Sequence, residues 1–168
     1  HIGIGSSYGS KLLKGKFLNF TGITIAGLEK KRADKLNIDN NKTYLIDKYD
    51  HDELTSKIKE GTMNYIIDIN LKSFSPSDKK FENMMINFYN ILEVGGCIIT
   101  SASGMKWTTE LNLVSNIFIQ SGSNNKNILK ERDLEQFAKN LNLKIKKFIL
   151  NVGLFKRKTE EIYILEKL

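Results

Sequence analysis

The chain has 168 residues, enough for one domain with a real hydrophobic core, because a chain of this size buries roughly 70% of its unfolded surface. No apolar run approaches the roughly 20 residues that span a bilayer, and the single cysteine, Cys97, excludes an internal disulfide. We therefore expect a cytoplasmic protein without a membrane partner.

The net charge of +7 is compatible with binding to nucleic acid. The basic residues are nearly all lysine, however, so an A/T-rich genome explains the charge better than a nucleic-acid-binding surface.

Apolar runs of strand length alternate with helical patterns along the whole chain, which predicts a mostly parallel sheet covered by helices. The predicted strands are His1 to Gly5, Gly22 to Ala26, Thr43 to Ile46, Asn64 to Ile69, Gly96 to Thr100, Lys144 to Val152 and Glu160 to Glu166. The predicted helices are Tyr8 to Lys16, Leu28 to Leu36, Asp50 to Glu60, Lys79 to Leu92, Thr108 to Gln120 and Lys130 to Asn140. The pattern indicates one α/β domain with a doubly wound, mostly parallel seven-stranded sheet and helices on both faces. A short connection from Gly153 to Thr159 predicts a hairpin, so that the last strand is antiparallel.

Two helices carry their own start signals. Ser77 or Asp78 can cap the fourth helix, whose apolar stripe recurs at helical spacing and predicts core packing. The stripe consists of Phe81, Met84, Met85, Phe88 and Leu92. Asp50 is placed as the N-cap of the third helix, with Glu53 three residues later. Acidic residues at a helix N-terminus interact favourably with the helix dipole, which explains the acids beside His51 without a metal site.

A glycine-rich turn, Gly3 to Gly9, follows the first predicted strand and precedes the first predicted helix. Glycines at such a junction let the backbone approach a ligand and leave the free N–H groups of the helix aimed at it. The turn therefore predicts a nucleotide-type cofactor site. Nicotinamide and flavin dinucleotides are disfavoured, because the third glycine of their pattern is Tyr8 and the second strand ends in Thr24 instead of an acid.

The order of these parts resembles the class I S-adenosylmethionine-dependent methyltransferases over essentially the whole chain. The turn Gly3 to Gly9 is similar to their first motif, and Thr21 to Glu29 is similar to the second-strand segment of members that carry Thr where others carry Asp. The run Leu92 to Gly96 looks like their turn before the fifth strand, and the closing hairpin ending in Ile162 to Leu165 matches their reversed last strand. The resemblance implies a single methyltransferase-like domain over residues 1–168.

The resemblance implies S-adenosylmethionine as the cofactor. It carries cofactor binding over to the residues that match the family's motifs, which are Gly3, Gly5, Ser6, Tyr8, Thr24, Glu29 and Asp47. Glu29 stands where related sequences place Gln and would accept hydrogen bonds from the ribose hydroxyls, while Asp47 would face the adenine.

The first motif also departs from the family in two places. His1 replaces the acid two residues before the first glycine, and Ser7 replaces a glycine. Only two residues precede Gly3, so we expect the natural start to lie upstream, with a further domain or a partner chain as an option. Because of these two departures, a non-catalytic scaffold with the same fold remains an alternative to an enzyme.

Asp68 is the best catalytic candidate, because it ends the apolar strand before Asn70, and ligand crevices in α/β sheets lie at the carboxyl ends of strands. It could take a proton from an attacking hydroxyl or amine, with Asn70 orienting it; the structural alternative is an acid that anchors the loop. Met105 and Trp107 could wall a substrate pocket or pack under the next helix.

The resemblance implies methyl transfer by direct displacement, and we expect the acceptor to be a hydroxyl or amine of a small molecule or sugar. RNA methylation is the second option, because the net charge of +7 would favour a nucleic-acid substrate. An enzyme similar to the aminopropyltransferases, which share the fold, is the third.

Overall fold

The computed structural model describes residues 1–4, 15–36, 38–106, 109–112, 117–120, 128–152 and 158–168. The predicted helix Tyr8 to Lys16 and the turn residues Gly5, Ser6 and Tyr8 lie wholly or mostly outside this set. The chain divides into two compact units, His1–Ile58 and Lys59–Leu168.

The first unit contains a parallel pair of strands and two helices. Its elements are β1 (Phe20–Thr24), α1 (Gly27–Lys35), β2 (Asn41–Leu45) and α2 (His51–Lys57). The pairing of β1 with β2 runs from Phe20 opposite Asn41 to Thr24 opposite Leu45. Asp50 caps α2 by accepting a hydrogen bond from the Glu53 amide at 2.9 Å, which confirms the predicted N-cap.

The second unit is built on a four-stranded mixed sheet. Its elements are β3 (Met63–Ile67), α3 (Asp78–Ile91), β4 (Leu92–Ser101), α4 (Ala102–Met105), β5 (Thr109–Asn112), β6 (Ile117–Gln120), α5 (Glu131–Asn140), β7 (Leu143–Val152) and β8 (Lys158–Lys167). The strand order is β3-β4-β8-β7, with β3 parallel to β4 and β8 antiparallel to both β4 and β7. The antiparallel last strand is confirmed.

The predicted seven-stranded sheet is not what the structure describes. Instead, a two-stranded sheet lies in the first unit, and the four-stranded sheet and a separate antiparallel pair, β5 with β6, lie in the second. Within the described residues, the predicted strand His1 to Gly5 contributes one parallel bridge, Ile2 to Ile23. The backbone leaves the extended region at Gly3, which has a φ of 63°, so the predicted strand is interrupted there.

The predicted helix Thr108 to Gln120 is also wrong, because the described part of this segment forms β5 and β6. The sequence explains the outcome. In Thr109 to Asn112, the apolar Leu111 stands between two polar residues. The residues from Ile117 to Ile119 are β-branched or aromatic, a composition that suits a pleated strand better than a helix.

The core of the second unit lies on one face of the four-stranded sheet. The predicted stripe is completely buried, with its first four residues on α3 and Leu92 at the start of β4. Phe81 meets Phe137 of α5 edge to face at 5.1 Å between ring centroids. Ser77 caps α3 through the Lys80 amide at 3.2 Å, as predicted. The opposite face of the sheet is less covered, since Tyr65, Phe148 and Leu150 are each about half exposed. Strand ends differ from the predicted ones by a few residues throughout.

Candidate functional site

The first unit places Gly3 beside the end of β1. The Gly3 amide donates to the carbonyl of Ile23 at 2.8 Å, and the Ile23 amide donates to the carbonyl of His1 at the same distance. The φ of 63° lies in the left-handed region that favours glycine. Apart from Gly3 and its two chain neighbours, no described residue has a heavy atom within 4 Å of where a Cβ of Gly3 would stand. The start of the predicted turn is thus an uncrowded backbone surface.

A threonine and a glutamate meet at the carboxyl end of β1. The Thr24 hydroxyl donates to Oε2 of Glu29 at 2.6 Å and accepts from the Ala26 amide at 3.0 Å. Thr24 is buried, whereas Glu29, in the first turn of α1, is partly exposed. The hydrogen bond brings the Glu29 carboxylate to the strand end, where the family pattern has an acid. Two predicted site residues are therefore brought together.

Two apolar side chains stand next to this pair without being covered. Ile25 is 48% exposed and Leu28 is 71% exposed. The sequence analysis did not single them out. The signal that could have found them is the presence of two large apolar residues in the short segment between Thr24 and Glu29.

Asp47 follows β2 and is exposed, although the neighbouring Ile46, Lys48 and Tyr49 are buried. Its Oδ1 accepts from the Tyr49 amide at 3.0 Å, and its backbone carbonyl accepts from the Asp50 amide at 2.9 Å. The turn fixes the carboxylate just past the strand end while leaving it in solvent. Among the described residues, no three His, Cys, Asp or Glu side chains come together as metal ligands.

In the second unit, Asp68 follows β3 and is 2% exposed. Its amide donates to the carbonyl of Ile99 at 3.0 Å, which extends the ladder with β4 by one residue. Asn70 begins the next turn, where its carbonyl accepts from the Ser73 amide at 2.8 Å. The structure thus places both predicted catalytic residues at the carboxyl end of β3.

Residues Ser101 to Lys106, which include the short helix α4, form the turn after β4. This turn packs directly against the segment that contains Asn70. A Cβ on Gly104 would overlap the backbone carbonyl of Ile69 and lie 2.9 Å from Oδ1 of Asn70. The Thr100 hydroxyl donates to the same Ile69 carbonyl at 3.1 Å. Met105 is 3% exposed, which favours the packing alternative for this side chain. Trp107 lies outside the described residues.

The turn after β4 is itself held by Glu160, near the start of β8. Oε1 of Glu160 accepts from the Ser103 amide at 2.9 Å, and Ser101 caps the turn by accepting from the Gly104 amide at 3.1 Å. The sequence analysis did not identify Glu160. The only signal was its position just after the hairpin, where an antiparallel last strand begins at the carboxyl edge of its parallel neighbours.

Cys97 lies in the middle of β4 and is half-buried. Burial is the main cause that raises the pKa of the Cys97 thiol, and the nearby Glu166 carboxylate adds to it against the opposing charge of Lys146. A raised pKa keeps the thiol protonated, so Cys97 lacks the thiolate that a nucleophile needs.

No family model and no curated protein matches this chain. Solved structures do match it. A SAM-dependent methyltransferase from Methanosarcina mazei gives a TM-score of 0.69 at 11% identity, over 99% of this chain and 90% of that one. A S-adenosylmethionine-dependent methyltransferase from Clostridium acetobutylicum gives 0.66 at 12% identity, over 99% and 82%. The N-methyltransferase NodS from Bradyrhizobium japonicum, solved with S-adenosyl-L-homocysteine, gives 0.60 at 10% identity, over 99% and 75%.

At these identities the match concerns the fold. The chain has the α/β fold of the class I S-adenosylmethionine-dependent methyltransferases, as the sequence resemblance predicted. In the part of the chain that the structure describes, none of the helices combines the length and apolarity needed to cross a membrane.

Proposed function

We propose that this protein binds S-adenosylmethionine and transfers its methyl group to a hydroxyl or amine of a small molecule or sugar by direct displacement. The observation that carries the proposal is the 2.6 Å hydrogen bond between Thr24 and Glu29. It presents a carboxylate at the end of β1 in a chain with this fold. Without Glu29, the strand would end in a hydroxyl alone.

Glu29 would bind the ribose of the cofactor. A carboxylate can accept about four hydrogen bonds, so Glu29 can accept from Thr24 and from ribose hydroxyls together. Thr24 supplies the orientation, because its hydroxyl is buried and is fixed in turn by the Ala26 amide.

The groups around this pair suit the rest of a nucleoside. Ile25 and Leu28 offer exposed apolar surface against which an adenine ring could pack. Asp47 offers an exposed acceptor for the exocyclic amine. Gly3 leaves room for the amino-acid end of the cofactor, and we assign the remaining turn residues Gly5, Ser6 and Tyr8 to the same role.

The sulfonium of the cofactor supplies an activated methyl group, so most of the gain in rate comes from alignment of the acceptor. Asp68 would accept the proton that the attacking hydroxyl or amine loses, and Asn70 would orient that group. Asp68 is 2% exposed, so this role requires a movement that lets the acceptor reach its carboxylate, whereas a loop anchor requires none.

A non-catalytic scaffold is the rival function, and the departures from the family's first motif at His1 and Ser7 favour it.

Thermal unfolding with S-adenosylmethionine, S-adenosylhomocysteine and decarboxylated S-adenosylmethionine distinguishes the candidates. We expect the first two nucleosides to raise the melting temperature by several degrees at 1 mM, since a ligand present at about 100 times its Kd stabilises by about 2.7 kcal/mol. No shift with any of the three would support the scaffold, and a preference for the decarboxylated form would support aminopropyl transfer.

A further inference from the structure

Glu160 lies far from Asp68 in sequence but at the same edge of the four-stranded sheet. Strand β8 runs antiparallel to β4, with Ser101 opposite Ile162, so the start of β8 lies beside the end of β4. Glu160 is partly exposed and follows the connection from β7. Its position puts a carboxylate within reach of the turn that follows β4.

The Glu160 carboxylate is engaged by that turn. The Ser103 amide donates to it at 2.9 Å. Burial by itself would raise the pKa of Glu160, but the hydrogen bonds from Ser103 and Ser101 and the positive charge of Lys106 outweigh it and leave the pKa below its ordinary value. The group is therefore ionised at neutral pH, and a charged acceptor makes a stronger hydrogen bond than a neutral one.

The turn that Glu160 holds also packs against the Asn70 side chain. Ser101 accepts from the Gly104 amide, so the hydroxyl fixes where Gly104 lies. Gly104 in turn fits against the Ile69 carbonyl and the side-chain oxygen of Asn70 with no room for a Cβ. A displacement of the turn would open this contact and change the surroundings of the Asn70 side chain.

We propose that Glu160 is a positioning residue for the acceptor side: by holding the turn from Ser101 to Lys106 it fixes the Asn70 side chain through Gly104. The part that this plays in methyl transfer rests on the proposed function. Glu160 itself touches neither the acceptor nor the cofactor in this proposal. Its loss should reduce turnover while leaving the affinity for S-adenosylmethionine unchanged.

The structural half of the proposal is tested by NMR of the full chain, without any ligand. In Glu160→Ala we expect the Ser103 amide to lose at least tenfold in protection from hydrogen exchange, and the side-chain NH₂ resonances of Asn70 to shift. Glu160→Gln keeps an oxygen that can accept from the Ser103 amide and should restore most of both signals. Glu135→Ala, an exposed glutamate of α5, is the matched control and should change neither.

The functional half uses two further measurements on the same variants. Calorimetry should give S-adenosylmethionine affinities within twofold of the wild type. Transfer of tritiated methyl groups to a panel of glycerol, glucose, adenosine and ethanolamine should show a kcat about tenfold lower in Glu160→Ala, with the KM for S-adenosylmethionine unchanged and partial rescue in Glu160→Gln.

Three outcomes overturn the inference. Unchanged Ser103 and Asn70 signals in Glu160→Ala would remove the proposed contact path. A weaker affinity for S-adenosylmethionine equal to the loss of turnover would show a general structural role. If the wild type does not bind S-adenosylmethionine while the NMR signals respond as expected, the proposed function fails and Glu160 is only a structural brace.

Discussion

Glu29 and Glu160 are two carboxylates at strand ends that differ in how they are held. Glu29 bonds to a hydroxyl five residues earlier, through a strand and the first turn of the next helix. Glu160 bonds to an amide 57 residues earlier, through a hairpin and the order of strands in the sheet. The first contact depends on local structure and the second on the tertiary fold, so disturbing the sheet should affect Glu160 before Glu29.

The two glycines near these carboxylates should show the largest difference. Gly104→Ala places a Cβ against the Ile69 carbonyl, and we expect a loss of about 3 kcal/mol in the free energy of unfolding, because backbone has to move. Gly3→Ala meets open space and only the strain of a φ of 63°, which costs about 1 kcal/mol. Urea denaturation of both variants measures the two values, and equal losses would contradict the close packing at Gly104.

Thr24→Val should isolate the orienting role of the hydroxyl. The valine keeps the shape of the buried side chain but removes the hydrogen bond to Glu29 and the acceptor for the Ala26 amide. We expect the Kd for S-adenosylhomocysteine to rise by about fivefold, corresponding to about 1 kcal/mol. Calorimetry gives the value, and Thr55→Val on α2 is the control, since its hydroxyl bonds only to backbone carbonyls of its own helix. An unchanged Kd in Thr24→Val would show that Glu29 needs no support from β1.

The acid dependence of stability should give the smallest difference. The pKa of Glu160 is lowered in the folded protein from its ordinary value of 4.5, so its contribution to stability is fully present above pH 4.5 and is lost as the pH falls through the folded value. We expect Glu160→Gln to remove this part of the pH dependence, with an effect of less than about 1 kcal/mol because the carboxylate is partly exposed. Urea midpoints at pH 3 and pH 6 measure it, and an identical pH dependence in wild type and variant would count against an ionised Glu160.

The same contrast explains what the sequence could predict. The Asp50 and Ser77 caps and the stripe of α3 are set by residues within a few positions of one another, and all were confirmed. Glu29 meets a partner only five residues earlier, so the local sequence could single it out, and its role toward the cofactor stays a prediction. Glu160 was missed because its partner is fixed by strand order, which leaves no local pattern.

The two errors have different origins. The segment Thr109–Gln120 has apolar residues that fit either period, and the pairing of β5 with β6 decides for strands. The seven-stranded sheet was expected from strand-length apolar runs along the whole chain. Among the described residues, the first of these runs pairs only through the bridge at Ile2, because the backbone turns at Gly3.

The account depends most on the Glu29 carboxylate as a ligand for the cofactor, and calorimetric titration with S-adenosylhomocysteine tests this directly. We predict that the wild type binds and that Glu29→Ala raises the Kd by at least tenfold, because charge-assisted hydrogen bonds contribute about 1.5–3 kcal/mol. Asp34→Ala, which removes an exposed acid paired with Lys30 on the same helix, should leave the Kd unchanged. Equal affinities in the wild type and Glu29→Ala, or no binding by the wild type, would contradict the account.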